Sequence, residues 1–348
     1  MNIATADIEK HVKEFCAQIG ADPLLVQGAG GNVSWKDGGT LWVKASGTWL
    51  AEAESKEIFV PVDLTFLQTA LTKQNFSVKP EVTSNSDLRP SIETLLHALM
   101  PHRVVVHLHA VEILAHLVQV NARQKIKKRV GDAVKWIYVD YFKPGADLAR
   151  AVSEQLTTRT DADVVFLGNH GVVIGGKDVE DVVTTLHTLI LKLKIKTSIS
   201  LPENRASRRE SDFLARGYVP CVDKEVSLLV TKDELINRLR HEWALYPDHV
   251  VFLGAEAVVL ERNFRTFELD DIARRNPPFI FSGDEGVYEN IAATPAQKSQ
   301  LRCYFDVVAR QGISEKLTTL SDRQVSELLD WDAEKYRQSS TDHKLGAA

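Results

Sequence analysis

Two histidines of this chain, His107 and His109, directly follow a run of valines, Val104–Val106. Runs of β-branched residues favour a strand, because these side chains fit a pleated surface and lose rotamer freedom in a helix. On a strand, residues two apart project from the same face, whereas on a helix they would diverge by roughly 200°. Two parallel imidazoles would supply two of the three protein ligands that a catalytic zinc site needs. The pattern predicts either a metal site or two histidines on a half-buried sheet face.

A third histidine, His170, lies at a break between two strand-like runs, 163–167 and 172–174. Gly168 and Gly171 flank the break, and glycine lets another part of the backbone approach closely. We therefore predict His170 as the third metal ligand.

A candidate acid–base residue, Glu93, lies near the start of a predicted helix, 90–100. The helix is indicated by an apolar stripe with a proline near its start. His97 follows Glu93 by four residues and so shares its face. An acid in the first turn of a helix commonly complements the helix dipole. The alternative is a general acid or base placed shortly before the metal strand.

A glycine cluster, Gly28–Gly31, precedes the polar residues Asn32 and Ser34. The dinucleotide-binding pattern fails because Val33 stands where a glycine is required, and the nucleotide P-loop pattern fails because no Lys-Ser/Thr follows. Backbone N–H groups in such a segment can still converge on an anion, with Asn32, Ser34 and Ser46 as further donors. The alternative is an ordinary glycine-rich turn.

The elements around these residues alternate between helices and strands, which indicates an α/β fold. Helices are predicted near 5–20, 63–73, 90–100, 111–120 and 146–157 and from 178, and strands near 41–45, 104–109, 136–139, 163–167 and 172–174.

The chain turns polar and basic over 201–217, which we interpret as a linker region. We predict two domains, a catalytic domain at 1–205 and a smaller C-terminal α/β domain of unknown role at 215–340. Capping-box patterns that open helices start at Thr231, Thr294 and Ser321. Strand-like runs lie at 249–253, 257–260 and 279–281.

The composition restricts the class of protein. A chain of 348 residues with 44% hydrophobic residues can build two cores. A formal net charge of −5 argues against nonspecific nucleic-acid binding, which needs a basic surface. The three cysteines are scattered, the N-terminus lacks a signal-peptide pattern, and no apolar run could span a bilayer. We expect a cytoplasmic protein without nucleic-acid or membrane partners.

Four segments line up in order along the first 200 residues: Gly-Gly-Asn32-Val-Ser, Pro-Ser91-Ile-Glu93, His107-Leu-His109 and Asn-His170-Gly. This order resembles the class II aldolase/adducin family, whose enzymes include fuculose- and rhamnulose-phosphate aldolases and ribulose-phosphate 4-epimerase. The segments Leu-Trp-Val-Lys-Ala-Ser-Gly, Leu-Leu-His-Ala-Leu-Met-Pro-His and Lys-Pro-Gly-Ala-Asp-Leu-Ala resemble the aldolase part of the bifunctional rhamnulose-phosphate aldolase/alcohol dehydrogenases. The resemblance covers roughly residues 5–200.

The resemblance implies a three-layer α/β/α domain with a central, mostly antiparallel sheet, assembled as a homotetramer. It implies Zn²⁺ or another divalent metal ion held by His107, His109 and His170, with Glu93 as the catalytic acid–base residue. The residues that match the family's phosphate ligands are Asn32, Ser46, Gly47 and Ser91. Two positions depart from the fuculose-phosphate aldolase pattern, Ile92 in place of a second serine and Ala29 in place of a hydroxyl residue.

The function implied is a metal-dependent aldolase, a carbon–carbon lyase that converts a ketose 1-phosphate to dihydroxyacetone phosphate and an aldehyde. The metal would stabilise an enediolate, and the glycine loop would orient the phosphate. Three alternatives remain open. A pentulose-phosphate 4-epimerase would use the same chemistry and release no aldehyde, and a dehydratase or decarboxylase would reuse the enediolate. A non-enzymatic scaffold like adducin is the third, and it would be expected to lack the histidines.

Overall fold

The computed structural model describes residues 3–197, 209–261, 263–332 and 335, with side chains from residue 7 onward. The chain divides into two compact units, one of Met1–Lys194 with Asp330–Ala348 and one of Ile195–Leu329. Residues 201–208 of the predicted linker lie outside the described residues. Among the residues described, no helix combines the length and the hydropathy that crossing a membrane requires.

One sheet of seven strands forms the centre of the first unit. The strands are β1 (Asn32–Asp37), β2 (Thr40–Lys44), β3 (Phe59–Asp63), β4 (Val104–Leu108), β5 (Trp136–Val139), β6 (Val164–Leu167) and β7 (Gly171–Gly176). Their spatial order is β3-β2-β1-β4-β7-β6-β5. Only the β5–β6 pair of this sheet is parallel. The prediction of a mostly antiparallel central sheet is confirmed.

Helices cover both faces of this sheet. They are α1 (Ile3–Gly20), α2 (Leu64–Thr72), α3 (Thr94–Leu99), α4 (Val111–Leu117), α5 (Ala122–Val130), α6 (Ala146–Thr158) and α7 (Val179–Leu193). Helices α2, α3 and α6 pack in two apolar clusters on the face that carries Val105 and Val173. Helices α1, α4 and α7 contact each other and strands of the sheet, and α5 packs on α4 and α7. The predicted three-layer α/β/α arrangement is confirmed.

Strand β4 lies in the middle of the sheet, between β1 and β7, and all five of its residues are buried. Buried surface on both faces explains why its sequence is a continuous apolar run rather than an alternating one. The register pairs His107 with Asn32 on one side and with Val173 on the other. Because paired residues share a face, Asn32 lies beside His107 on the face covered by α3.

The second unit contains a smaller sheet of four strands, β8 (Tyr218–Pro220), β9 (Val259–Leu260), β10 (Phe279–Ser282) and β11 (Gly286–Asn290), in the order β8-β11-β10-β9. Its helices are α8 (Glu210–Leu214), α9 (Asp233–His241), α10 (Pro247–Leu253), α11 (Thr266–Arg275), α12 (Pro295–Val308) and α13 (Asp322–Leu329). The prediction of a second, smaller α/β region is confirmed. Phe213 of α8 packs in the core of this unit, so the predicted linker includes one of its helices.

Two local predictions in the second unit are wrong. Residues 249–253, predicted as a strand, belong to helix α10, which is buried along its whole length. A short apolar run cannot by its periodicity distinguish a buried strand from a buried helix, and Pro247 in the first helical turn was the overlooked signal. The capping box predicted at Thr231 does not form, because α9 begins after Lys232 and the Thr231 hydroxyl bonds to the Leu228 carbonyl instead. The box at Thr294 forms as predicted.

Candidate metal and acid–base site

The three predicted histidine ligands lie together where strand β4 ends and strand β7 begins. His107 is the fourth residue of β4, His109 follows the end of that strand, and His170 lies in the turn between β6 and β7. All three are buried, and one ring nitrogen from each lies within 4.8 Å of the others. The Nε2 atoms of His107 and His109 are 3.1 Å apart.

Glycine is required where the turn with His170 meets strand β4. A Cβ atom on Gly171 would lie 2.5 Å from the Leu108 carbonyl oxygen and 3.0 Å from Cε1 of His107. The preceding Asn169 has a φ of 51°, a left-handed conformation that asparagine tolerates better than most residues. The Asn-His-Gly sequence therefore brings His170 close to the two strand histidines for steric reasons.

The residues fit a divalent metal ion of the zinc type. Three buried imidazoles form the donor set of a catalytic zinc centre, which leaves a further coordination position open. The Nδ1 atom of His107 lies 3.2 Å from the Val172 carbonyl oxygen. Because only a protonated ring nitrogen can donate to a carbonyl, this contact fixes the hydrogen on Nδ1 and leaves the Nε2 lone pair facing the other histidines.

Glu93 is the N-cap residue of α3, and its carboxylate lies against the histidines. Its Oε2 is 3.4 Å from Nε2 of His107, and its Oε1 is 3.4 Å from Nε2 of His170. The Nδ2 atom of Asn32 donates to Oε2 at 2.8 Å. Burial opposes ionisation of this carboxyl, but His107, His170 and the Asn32 hydrogen bond outweigh it, so the pKa of Glu93 is lowered to about 2. The Glu93 carboxylate is therefore ionised beside the cluster of imidazoles.

A second set of contacts joins Asn32 to His97 and Ser34. The Oγ atom of Ser34 lies 2.7 Å from Nδ1 of His97, and Nε2 of His97 contacts Oδ1 of Asn32. His97 has no exposed surface, and burial lowers its pKa to about 3, so the ring is neutral. Both ends of the Asn32 amide are therefore engaged, one by Glu93 and one by His97.

The remaining predicted phosphate ligands lie in two segments that meet. An isolated antiparallel bridge pairs Ala45 with Pro90, so Ser46 lies opposite Arg89 and Ser91 lies opposite Lys44. The backbone N–H of Glu93 donates to the Ser91 hydroxyl oxygen at 3.2 Å, so the hydroxyl hydrogen of Ser91 remains available to donate. Ser46 and Ser91 therefore lie in adjacent segments, and Glu93 follows Ser91 by two residues.

Sequence reasoning assigned no role to two residues of this site. His97 was noted only as a neighbour of Glu93 on the helix, although the spacing of four could have indicated that it shares the site. Lys44 is buried, and its Nζ donates to the Ala29 carbonyl oxygen in the glycine loop at 3.1 Å. A lysine in an otherwise apolar strand, Leu41–Lys44, was the available signal, since a buried charge requires polar partners.

The comparisons with known proteins each cover about half of the chain. The model of a family described as "Class II Aldolase and Adducin N-terminal domain" matches residues 11–196. The chain is 28% identical over 189 residues to the L-fuculose phosphate aldolase of Methanocaldococcus jannaschii, a match that covers 54% of this chain and 94% of that protein. It is also 28% identical over 194 residues to the uncharacterized oxidoreductase YuxG of Bacillus subtilis, covering 50% of this chain but only 28% of that protein.

Two solved structures are also similar. The N-terminal class II aldolase domain of a conserved protein from Thermoplasma acidophilum is 25% identical, with a TM-score of 0.45, and the match covers 54% of this chain and 92% of that one. A sugar-phosphate aldolase from Thermotoga maritima is 15% identical, with a TM-score of 0.44, and the match covers 55% of this chain and 93% of that one.

Proposed function

This chain belongs to the class II aldolase and adducin family, and we propose that it is a divalent-metal-dependent aldolase acting on a sugar phosphate. The reaction proposed is cleavage of a ketose 1-phosphate to dihydroxyacetone phosphate and an aldehyde, or the reverse. One observation carries the proposal, namely that the carboxylate of Glu93 lies 3.4 Å from ring nitrogens of both His107 and His170. A base beside a triad of metal-type ligands is what this chemistry needs.

The metal ligands proposed are His107, His109 and His170, and zinc is the metal that best suits this donor set. A divalent cation there would act as a Lewis acid that stabilises negative charge on the substrate oxygens. The short distance of Glu93 from the ring nitrogens supports a position beside the proposed cation, and the role that we propose for it is proton transfer.

In the cleavage direction, one substrate hydroxyl loses its proton as it becomes the aldehyde carbonyl, and the carbon released from the broken bond gains a proton. The two transfers balance, so no net proton is consumed. Glu93 is proposed to accept the first proton. It is buried beside the proposed ligands, and a general base must lie within hydrogen-bonding reach of the proton that it accepts.

The phosphate ligands proposed are Ser46, Gly47, Ser91 and Asn32. The proposal is supported by the antiparallel bridge that joins the segments of the first three, and by the hydrogen bond from the Glu93 N–H to the Ser91 hydroxyl. Asn32 donates one amide hydrogen to Glu93 and keeps a second for the substrate. Binding the phosphate at a fixed distance from Glu93 would lower the barrier by holding the reacting carbons in position. We further propose that the protein is a homotetramer, which the family resemblance supports. We also propose that it is cytoplasmic, because its three free cysteines are typical of a reducing compartment.

The test is to incubate the zinc-loaded protein with a panel of ketose 1-phosphates and pentulose 5-phosphates and to identify the products. Release of dihydroxyacetone phosphate with an aldehyde supports the aldolase. An epimer without aldehyde would indicate a 4-epimerase, and carbon dioxide would indicate a decarboxylase. A metal-loaded protein that turns over none of the panel would contradict the proposal.

The matched control is Glu93→Gln, which keeps the size of the side chain and removes its basicity. We expect turnover to fall by a factor of about 10²–10⁴. Zinc content, measured by elemental analysis, should be unchanged. If zinc were lost instead, Glu93 would be a metal ligand and not the base.

A further inference from the structure

We propose that His97 is a positioning residue that fixes the Asn32 amide and, through it, the carboxylate of Glu93. The inference rests on the proposed function, since it assigns a role within that acid–base site. The side chain of His97 hydrogen-bonds to Asn32 and Ser34. Its part is to determine which way the amide points.

Helix α3 and strand β1 each carry two residues of this set, and the two pairs have similar spacing. Glu93 and His97 are four residues apart at the start of α3, and the His97 N–H bonds to the Glu93 carbonyl oxygen as in an α-helix. Four helical residues rise about 6 Å. Asn32 and Ser34 are two residues apart on β1, a rise of about 6.6–6.8 Å, and they project from one face. The near-equal spacing lets Glu93 lie opposite Asn32 while His97 reaches both Asn32 and Ser34.

The hydrogen bonds of this set run in one direction. The nitrogen of the Asn32 amide donates to Glu93, so its oxygen faces His97 and must accept. Nε2 of His97 therefore carries the hydrogen, and Nδ1 accepts the hydroxyl hydrogen of Ser34. One neutral tautomer is compatible with all three hydrogen bonds, and in each of them the donor lies on the side away from the Glu93 carboxylate.

The donor on His97 matters because an amide has two ends of similar shape and opposite polarity. Without the Nε2 hydrogen, the Asn32 amide could rotate and present its oxygen to the Glu93 carboxylate. Two acceptors at 2.8 Å repel, so the carboxylate would shift away from the position in which it faces the substrate. Metal binding should be unaffected, because the imidazoles of His107, His109 and His170 keep their own contacts.

Two substitutions separate this role from a packing role. His97→Leu removes both ring nitrogens and keeps an apolar side chain in the buried space. His97→Gln keeps an N–H donor that can reach the position of Nε2. We expect His97→Leu to lower kcat by about 10–100-fold with little change in KM, as found for groups that orient other residues of a site. His97→Gln should restore most of this loss, and zinc content should stay unchanged in both variants.

A double-substitution cycle with Asn32→Ala tests the route of the effect. If His97 acts through Asn32, adding His97→Leu to Asn32→Ala should lower kcat no further. If the two substitutions lowered kcat independently, so that their effects multiplied in the double variant, the proposal would be overturned. It would also be overturned if His97→Gln were as slow as His97→Leu, or if either of these two variants lost zinc.

The hydrogen-bond arrangement is also tested without any substrate. Long-range ¹H–¹⁵N NMR of the zinc-loaded protein should show His97 as a single neutral tautomer with its hydrogen on Nε2, assigned by comparison with His97→Gln. Asn32→Ala should shift the Nε2–H signal. A hydrogen on Nδ1 would overturn the proposal even if turnover is observed, whereas the predicted tautomer in a protein with no turnover would overturn only the aldolase function.

Discussion

Each unit of this protein buries histidines, but the two surroundings differ in what the ring nitrogens face. In the first unit the nitrogens of His107, His109 and His170 face one another and the carboxylate of Glu93. In the second unit His249 of α10 is equally buried, and aromatic rings surround it. The ring centroids of Trp243, Tyr304 and Tyr246 lie 4.3, 4.8 and 5.4 Å from its own.

Neither ring nitrogen of His249 has a hydrogen-bond partner among the residues that the structure describes. Burial lowers the pKa of this imidazole to about 3, so it is a neutral aromatic group within a core. The comparison shows that burial of a histidine does not by itself indicate a site. What distinguishes the first unit is convergence of ring nitrogens on one point with an anion beside them.

The largest expected effect comes from replacing one buried histidine in each unit and comparing the zinc affinities. We expect His170→Ala to weaken zinc binding by at least about 100-fold, because two imidazoles alone make an incomplete site. Turnover of any substrate found for the protein should fall with it. His249→Phe, which keeps an aromatic ring, should bind zinc as the unsubstituted protein does. Zinc titration against a competing chelator measures both, and equal affinities in the two variants would remove the distinction between the regions.

A smaller effect is expected from crowding the histidines without removing one. Gly171→Ala would place a Cβ atom 2.5 Å from the Leu108 carbonyl oxygen, so β4 or the turn must shift. We expect the free energy of unfolding to fall by about 1–3 kcal/mol and zinc affinity to fall with it. The control is Gly312→Ala in the second unit, where an added Cβ meets no atom within 4 Å. Urea unfolding with and without zinc measures both effects, and a fully tolerated Gly171→Ala would contradict the steric account.

The smallest effect concerns the acid side of the pH range. Because His249 has its pKa lowered from 6.5 to about 3 in the folded state, the unfolded chain takes up a proton below about pH 6.5 and the folded chain does not. The free energy of unfolding therefore decreases as the pH falls from 6.5 toward about 3, by about 1.4 kcal/mol per pH unit for one histidine. His249→Phe should remove that part of the pH dependence.

The measurement is urea unfolding of both proteins at pH 7 and pH 5 with a chelator present, so that zinc ligands contribute equally. Between pH 7 and pH 5 the unsubstituted protein should lose more unfolding free energy than His249→Phe does. A difference independent of pH would show that His249 is protonated in the fold or accessible to water, and the contrast between the regions would weaken.

Much of the first unit could be predicted because its patterns are long or periodic. The apolar run Val104–Val106 predicted β4, and the helical spacing after Asp178 predicted α7, whose N-terminus the Asp178 side chain caps by accepting from the Asp181 N–H. Patterns shorter than this were less reliable. The run 249–253 is a helix, because five apolar residues carry too little periodicity to exclude one.

The sequence by itself determined the chemical types of the site, three histidines and a glutamate in segments whose order identifies the family. It also determined that His107 and His109 share a face, since that follows from strand geometry alone. Only the tertiary structure decided that His170 reaches them and that Asn32 lies between Glu93 and His97. The reason is physical: which nitrogens converge depends on strand register and helix packing between segments 60 or more residues apart, and no local pattern records those distances.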